Sequence, residues 1–176
     1  MLSMYKKFIP SEYKKTIFDI TPEDLKARGI RGIITDLDNT LVEWDRPDAT
    51  PKLIEWLASM KQSGIKVVIV SNNNEMRVKS FSDPLGIPFI FQARKPMGKA
   101  FRRAIKVLDL QRKQIVVIGD QMLTDIFGGN RNKLHTILVL PVAKSDGFVT
   151  KFNRMVERRI MKKLKQQGQV TWEEKN

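Results

Sequence analysis

Two aspartates, Asp36 and Asp38, stand one residue apart directly after an apolar run that ends at Thr35. A carboxylate in such a position can act as a nucleophile, and a neighbouring carboxylate can transfer a proton. Phosphorus is a suitable electrophile, because its attack by an aspartate gives an aspartyl-phosphate that water then hydrolyses. We therefore predict that Asp36 attacks a phosphorus atom and that Asp38 handles the proton of the leaving group.

Three later apolar runs end in polar residues of complementary chemistry. These residues are Ser71 and Asn72 after the second run, Lys95 after the third, and Asp120 and Asp125 after the fourth. We expect Lys95 to neutralise charge on the transferring phosphoryl group, while Ser71, Asn72 and backbone N–H groups bind its oxygens. Carboxylates gathered this closely repel one another unless a cation lies among them, and an all-oxygen set suits Mg²⁺.

A parallel sheet would bring these residues together, since the carboxyl ends of parallel strands meet at one edge. The chain alternates strand-like and helix-like segments. In order, they are 30–35, 51–62, 66–70, 74–82, 88–91, 97–108, 115–119, 122–128, 136–140 and a final helix. Uninterrupted apolar strand segments are typical of sheets covered on both faces. We predict an α/β fold with a mainly parallel five-stranded sheet, and the spacing of the polar groups leaves no room for a sizeable cap domain.

The polar groups resemble, in their order, the four motifs of the haloacid dehalogenase-like (HAD-like) phosphatases: DLDNT, Ser71, Lys95 and GDQMLTD. Two longer stretches, 17–45 and 119–141, resemble the YqeG-type phosphatases of subfamily IIIA, which are similar to phosphatidylglycerophosphate phosphatases. The resemblance covers residues 8–141 and implies a Rossmann-like, three-layer α/β/α sandwich. It also implies a phospholipid headgroup, such as phosphatidylglycerophosphate, as the substrate.

The resemblance assigns roles to individual residues as well. It implies that Asp36 is the nucleophile and that Asp38 is the general acid and base. It further implies that Mg²⁺ is bound by Asp36, by the backbone carbonyl of Asp38 and by Asp120. Asp125 then supports the metal site, and Thr40 braces the nucleophile loop.

The composition fits a single globular domain. The chain has 176 residues, of which 41% are hydrophobic and 29% are charged, and this length suffices for a hydrophobic core. The absence of cysteine, of a secretory signal and of an apolar run as long as a membrane span favours the cytoplasm. We divide the chain into an N-terminal segment that packs on the core (1–30), an HAD-like core (31–149) and a basic amphipathic helix with a tail (150–176).

The net charge of +13 predicts an acidic partner, and much of the excess lies in residues 94–113 and 151–167. The second of these segments has an apolar stripe and a basic side. The stripe is Phe152, Val156, Ile160 and Leu164, and the basic side is Lys151, Arg154, Arg158, Lys162 and Lys165. Such a helix either lies on an anionic membrane, here at its inner face, or packs against its own sheet or a second subunit.

Two other functions stay open at this point. One is a phosphatase that acts on a polynucleotide end or a phosphoprotein. The other is a nucleic-acid-binding or ribosome-binding module on an inactive phosphatase-like fold, suggested by the positive charge. A binding module has no need of Asp36, Asp38, Lys95 and Asp120 together, and no RNA-reading motif is visible. The enzyme is therefore the preferred interpretation, and nucleic acid is the less favoured partner.

Overall fold

The structure, a computed structural model, describes residues 5–143, 148–166 and 168. In these residues the strands are β1 (Glu12–Lys14), β2 (Gly32–Thr35), β3 (Lys66–Val70), β4 (Phe89–Ile90), β5 (Ile115–Gly119) and β6 (His135–Val139). The helices are α1 (Pro22–Ala27), α2 (Pro51–Gln62), α3 (Glu75–Ser82), α4 (Gly98–Leu108), α5 (Phe127–Arg131) and α6 (Phe148–Gln166). A π-helical turn at Met122–Ile126 leads directly into α5.

All strand pairs of the sheet are parallel, in the order β1-β6-β5-β2-β3-β4. The parallel α/β fold is confirmed, but the prediction of five strands is wrong because the described sheet has six. The additional strand is β1 at the edge, where Glu12–Lys14 pairs with Ile137–Val139 of β6. This strand has three residues and no apolar run, so its pairing depends on β6 and leaves no mark in the local sequence.

Helix boundaries follow local capping chemistry. The hydroxyl of Thr50 accepts a hydrogen bond from the N–H of Leu53 (3.2 Å), and Pro51 occupies the first turn of α2. Proline is favoured there because its ring presets the helical φ angle and no backbone partner is lost. The predicted range 51–62 is confirmed. The amide oxygen of Asn74 caps α3 in the same way, accepting from the N–H of Arg77 (2.9 Å).

Helices cover both faces of the sheet, which gives the predicted three-layer sandwich. Ile33 and Ile69 point to one face, where they pack with buried residues of α1, α2 and α3. Their neighbours Ile34 and Val68 point to the other face and pack against Phe101 and other residues of α4. Each central strand is buried on both sides, so alternate residues serve different cores.

A third cluster attaches α6 to this second side. Met161 and Leu164 of α6 are buried with Phe8, Ile126 and Leu138. The C-terminal part of the amphipathic helix thus packs on its own core, one of the two outcomes that the sequence left open. Contact with an anionic membrane stays a prediction.

The division into segments 1–30, 31–149 and 150–176 also stays a prediction. Residues 1–4, 144–147, 167 and 169–176 of those segments lie outside the described residues, as do the side chains of Lys151 and Phe152. In the part of the chain that the structure describes, no helix combines the length and the apolar character that crossing a bilayer requires.

Candidate active site

The candidate site lies at the carboxyl edge of β2, β3 and β5. Asp36 follows β2, and its backbone N–H donates to the carbonyl of Ile118 (3.1 Å), which extends the pairing of β2 with β5 by one residue. Ser71 follows β3, and Asp120 follows β5. Since adjacent parallel strands end side by side, these residues are brought together although up to 84 positions separate them.

Lys95 lies between two buried carboxylates. Its Nζ is 3.0 Å from Oδ1 of Asp36 and 2.6 Å from Oδ1 of Asp125. The lysine side chain is 3% exposed, and those of Asp36 and Asp125 are 10% and 1% exposed. The ammonium group therefore compensates the negative charge beside Asp36 within a poorly solvated site.

The pKa values of this pair have opposing contributions. Burial raises the pKa of Asp36 to about 6, although the charge of Lys95 lowers it. Burial alone would lower the pKa of Lys95, but the charges of Asp125 and Asp36 outweigh that effect and raise it above the usual value. Lys95 is thus held as a cation, while Asp36 is ionised at neutral pH and at the same time weakly solvated.

Asp120 is bound by two further groups. Its Oδ1 accepts a hydrogen bond from the hydroxyl of Thr40 (3.1 Å), and its Oδ2 lies 2.6 Å from Nη2 of Arg154 on α6. Burial raises the pKa of Asp120 well above its usual value, as do the charges of Asp36 and Asp125, against the effect of Arg154. Thr40 therefore connects the loop after β2 to the acid after β5.

The acids of the site form a set that fits a hard divalent cation. Carboxylate oxygens of Asp36, Asp120 and Asp125 lie within 4.8 Å of one another, and all three residues are buried. The donors are all oxygen, as Mg²⁺ prefers. Burial is the main cause of the raised pKa values of Asp36 and Asp120, and a bound cation would lower both values. The carboxylate of Asp38 lies outside this cluster.

Gly119 allows the acids after β5 to approach the sheet. A Cβ atom at this position would lie 2.2 Å from Cγ of Asp125, closer than two carbon atoms can pack. Asp125 also accepts a hydrogen bond from the N–H of Gln121 (3.2 Å) through Oδ2. The GDQMLTD segment thus folds back so that Asp125 meets Lys95.

Asp38 faces a different set of partners. Its Oδ1 accepts hydrogen bonds from Nε and Nη2 of Arg77 (3.1 and 3.0 Å), and its Oδ2 accepts one from the side-chain amide of Asn73 (2.8 Å). Burial raises the pKa of Asp38, while Asn73 and Arg77 lower it and the charge of Asp36 raises it. The Asp38 side chain is 21% exposed, so it can be reached from solvent.

Ser71 and Asn72, which were predicted to bind phosphate together with Lys95, differ in their surroundings. Ser71 is buried, and its hydroxyl accepts a hydrogen bond from the backbone N–H of Asn73 (3.1 Å). The side chain of Asn72 accepts from the N–H of Lys95 (2.7 Å) and donates to the carbonyl of Lys95 (3.3 Å). Asn72 therefore holds the backbone of the Lys95 loop in position.

Sequence comparison assigns the chain to a family. The family model described as haloacid dehalogenase-like hydrolase matches residues 33–94, and the model described as HAD-hydrolase-like matches residues 92–147. The chain is 68% identical over 172 residues to "Probable phosphatase YqeG" of Bacillus subtilis (strain 168), covering 97% of this chain and 100% of that protein. The chain belongs to the haloacid dehalogenase-like hydrolases. At this identity and coverage it is an HAD-type phosphatase.

A more distant relative is also named as a phosphatase. "Phosphatidylglycerophosphate phosphatase 1, chloroplastic/mitochondrial" of Arabidopsis thaliana is 26% identical over 171 residues. The match covers 91% of this chain but 49% of the plant protein, so the chain spans about half the length of that relative.

A solved structure has the same fold. It is the cobalt-bound form of the deoxy-D-mannose-octulosonate 8-phosphate phosphatase from Haemophilus influenzae, with a TM-score of 0.52 and 16% sequence identity. The superposition covers 78% of this chain and 90% of that chain. At this level of identity the likeness establishes the fold alone.

Four residues in or beside the candidate site were given no role in it from the sequence: Asn73, Arg77, Arg154 and Glu157. Glu157 lies one turn after Arg154 on α6, is 7% exposed, and accepts a hydrogen bond from the N–H of Leu123 (3.2 Å). Burial raises its pKa to about 7. The sequence does contain a signal for Arg154 and Glu157. With helical spacing, these two residues lie on the same face of α6 as Met161 and Leu164, which are buried.

Proposed function

We propose that this phosphatase hydrolyses phosphomonoesters through a covalent aspartyl-phosphate on Asp36, and that its substrate is a phospholipid headgroup such as that of phosphatidylglycerophosphate. The observation that carries the mechanism is the position of Asp36, whose Oδ1 is 3.0 Å from the ammonium of Lys95 at the carboxyl edge of the sheet. An anionic phosphoryl group that approaches Asp36 is therefore attracted by a fixed positive charge.

The first half-reaction transfers the phosphoryl group to the enzyme. An oxygen of Asp36 attacks phosphorus, and the bond from phosphorus to the leaving oxygen breaks. Lys95 stabilises the negative charge of the transferring group, with Ser71 and backbone N–H groups at the ends of the strands as hydrogen-bond partners. Asp38, when protonated, gives its proton to the leaving alcohol.

The second half-reaction releases inorganic phosphate. A water molecule attacks the phosphorus atom of the aspartyl-phosphate, and Asp38, now ionised, accepts a proton from that water. The bond between phosphorus and the Asp36 oxygen breaks, which regenerates the carboxylate. Arg77 and Asn73 hold the ionised form of Asp38, so they favour its role as a base in this step.

A divalent cation would be held by Asp36 and Asp120 together with the backbone carbonyl of Asp38, and Asp125 would support these ligands from the adjacent turn. When bound, Mg²⁺ supplies positive charge that offsets the negative charge of the transferring phosphoryl group. Thr40 orients Asp120 for this purpose through its hydroxyl. Chelation with EDTA is expected to abolish turnover, and addition of Mg²⁺ is expected to restore it.

The lipid part of the proposal is supported by the name of the distant relative from Arabidopsis thaliana. It is also supported by the described residues 36–120, which form strands of the sheet and helices that cover it without a sizeable cap domain and so leave room for a large substrate. Location in the cytoplasm, contact with anionic membranes and self-association stay predictions. A phosphatase for polynucleotide ends or phosphoproteins is the alternative in the same class.

Trapping of the phosphoenzyme tests the mechanism. Wild-type protein is mixed with a ³²P-labelled phosphomonoester, quenched in acid and assayed for protein-bound label that hydroxylamine releases. Asp36→Asn is expected to lose both the label and turnover while keeping its circular dichroism spectrum. Asp48→Asn, which changes an exposed aspartate, is the matched control and is expected to behave as wild type. Magnesium-dependent turnover by homogeneous Asp36→Asn protein would refute the covalent mechanism.

Two further comparisons test the proton transfer and the substrate. Asp38→Asn should lose roughly 10²–10⁴-fold in turnover of an alkyl phosphate, and less with nitrophenyl phosphate, whose leaving group needs no proton.

A panel of phosphatidylglycerophosphate in micelles, a phosphopeptide and a 5′-phosphorylated oligonucleotide tests the substrate class. A preference for the peptide or the oligonucleotide would overturn the lipid assignment and leave the mechanism intact.

A further inference from the structure

Arg77 joins the outer side of the site to α3. It lies in the first turn of this helix, and the centre of its guanidinium group is 5.7 Å from the centroid of the Phe81 ring. Its Nη1 makes a long contact of 3.4 Å with the carbonyl of Pro47, in the loop between β2 and α2. The side chain is 15% exposed, so it is ordered by neighbours on three sides and still borders solvent.

The pairing of Arg77 with Asp38 leaves the guanidinium incompletely matched. Both Nε and Nη2 donate to the same oxygen, Oδ1, while Oδ2 of Asp38 accepts a hydrogen bond from Asn73. A guanidinium group binds most favourably when two parallel N–H groups meet two different oxygens of one anion. A phosphate group offers such a pair of oxygens.

The position of Asp38 determines which part of a substrate Arg77 meets. If Asp38 protonates the leaving oxygen, as the proposed function requires, then Arg77 lies on the side of the leaving alcohol and not on the side of the transferred phosphoryl group. Lys95, whose Nζ is 3.0 Å from Oδ1 of Asp36, serves the transferred group. Arg77 is therefore a second positive charge at the mouth of the site.

We propose that Arg77 is a specificity residue that binds a second phosphate group carried by the leaving alcohol of the substrate. This inference rests on the proposed function and names the substrate class more closely: a phosphomonoester whose alcohol bears another phosphate. Binding of that phosphate draws Arg77 from Oδ1 of Asp38.

The test compares four substrates in two matched pairs. The soluble pair is glycerol 1,3-bisphosphate and glycerol 3-phosphate. The lipid pair is phosphatidylglycerophosphate and phosphatidic acid in the same detergent micelles. Within each pair only the first substrate has a second phosphate on the leaving alcohol, and comparison between pairs separates the lipid contribution from the phosphate contribution.

For wild-type protein we expect kcat/KM to be about tenfold or more higher for the bisphosphorylated substrate of each pair, as suits one charge-assisted hydrogen-bonded contact. Arg77→Met should remove this preference, and Arg77→Lys should retain part of it. Lys79→Met, which changes an exposed cation of the same helix, is the control and should keep the wild-type preference. A uniform loss across all four substrates in Arg77→Met would overturn the proposal, since it would mean that Arg77 only positions Asp38.

A binding measurement makes the outcome independent of turnover. In an Asp36→Asn background, calorimetry should give tighter binding of glycerol 1,3-bisphosphate than of glycerol 3-phosphate, and Arg77→Lys should reduce the difference even if Arg77→Met does not fold. Equal affinities in the parent would overturn the proposal. Turnover of nitrophenyl phosphate by wild-type protein tests the phosphatase mechanism separately, so a failure of that mechanism is distinguishable from a failure of the specificity assignment.

Discussion

The guanidinium group of Arg154 on α6 contacts the buried acid Asp120 after β5, with Nη2 of the arginine 2.6 Å from Oδ2 of the aspartate. The Asp120 side chain is fully buried, and that of Arg154 is 20% exposed. The other oxygen of Asp120 is bound by Thr40. A divalent cation that uses Oδ2 must therefore compete with the C-terminal helix.

We predict that Arg154→Gln binds Mg²⁺ more tightly than wild type. A neutral amide competes less well for the Asp120 carboxylate, and loss of one charge-assisted contact of this kind corresponds to roughly a tenfold change in affinity. The measurement is the rise of Tm with Mg²⁺ concentration, together with the Mg²⁺ concentration that gives half-maximal turnover. The Mg²⁺ concentration at half of the full Tm increase and the concentration at half-maximal turnover should both be lower in the variant.

Arg158→Gln is the matched control for this prediction, because Arg158 lies four residues further along the same helix and is exposed. Its Mg²⁺ dependence should equal that of wild type. If Arg154→Gln instead requires more Mg²⁺, the arginine supports the metal site and does not compete with it.

Lys95 gives a prediction about stability as well as activity. Lys95→Met keeps the length of the side chain but leaves Asp36 and Asp125 buried without their cation. Removing one partner of a buried ion pair costs about 3–5 kcal/mol, so the free energy of unfolding in EDTA should fall by roughly that amount. Urea denaturation measures it, and turnover should fall as well because the charge beside Asp36 is lost.

The pH dependence of this effect has a defined sign. Lys95 lowers the pKa of Asp36, so its removal raises that pKa further above the value in the unfolded chain. A raised carboxyl pKa means that stability is lost as the pH rises through the folded pKa, so the cost of Lys95→Met should be smaller below pH 6 than above it. Lys99→Met, an exposed change on α4, should leave stability unchanged. A pH-independent cost would contradict the charge argument.

The central part of the site is predictable from the sequence because it depends on the sheet. Asp36, Ser71 and Asp120 each follow an apolar strand, and parallel strands end at a common edge. Lys95 is reached in the same way from the loop that follows β4, and Asp125 from the π-helical turn that follows β5. The local sequence determines which segments form strands and helices. The parallel sheet then determines which strand ends lie side by side, and so which polar residues meet.

Contacts between distant side chains were not predictable. Nothing near Asp38 indicates that Arg77, 39 positions later, will hold its carboxylate. The short strand β1 forms only because β6 offers an edge. On α6 a repeat of four residues gave the stripe from Phe152 to Leu164, but a helix has 3.6 residues per turn. The face that is actually buried therefore differs from the predicted stripe and includes Glu157, Met161 and Leu164. A charged residue among the apolar residues of that face is the sequence feature that could have pointed to Glu157.

Glu157 should make the stability of the protein depend on pH. Burial raises its pKa from 4.5 to about 7, and its carboxylate accepts a hydrogen bond from the N–H of Leu123, which joins α6 to the π-helical turn. The folded protein therefore binds this proton more tightly than the unfolded chain does. The corresponding stability is fully present below about pH 4.5 and is lost as the pH rises through about 7.

The predicted measurement is the free energy of urea unfolding in EDTA at about pH 5 and about pH 8. Wild type should lose up to about 3 kcal/mol more than Glu157→Gln over this interval, because glutamine cannot ionise. The subtraction removes contributions that both proteins share, including those of Asp36 and Asp120. Glu55→Gln, an exposed change on α2, should follow wild type. If Glu157→Gln shows the same slope as wild type, Glu157 is solvated in solution and α6 does not hold it against the π-helical turn.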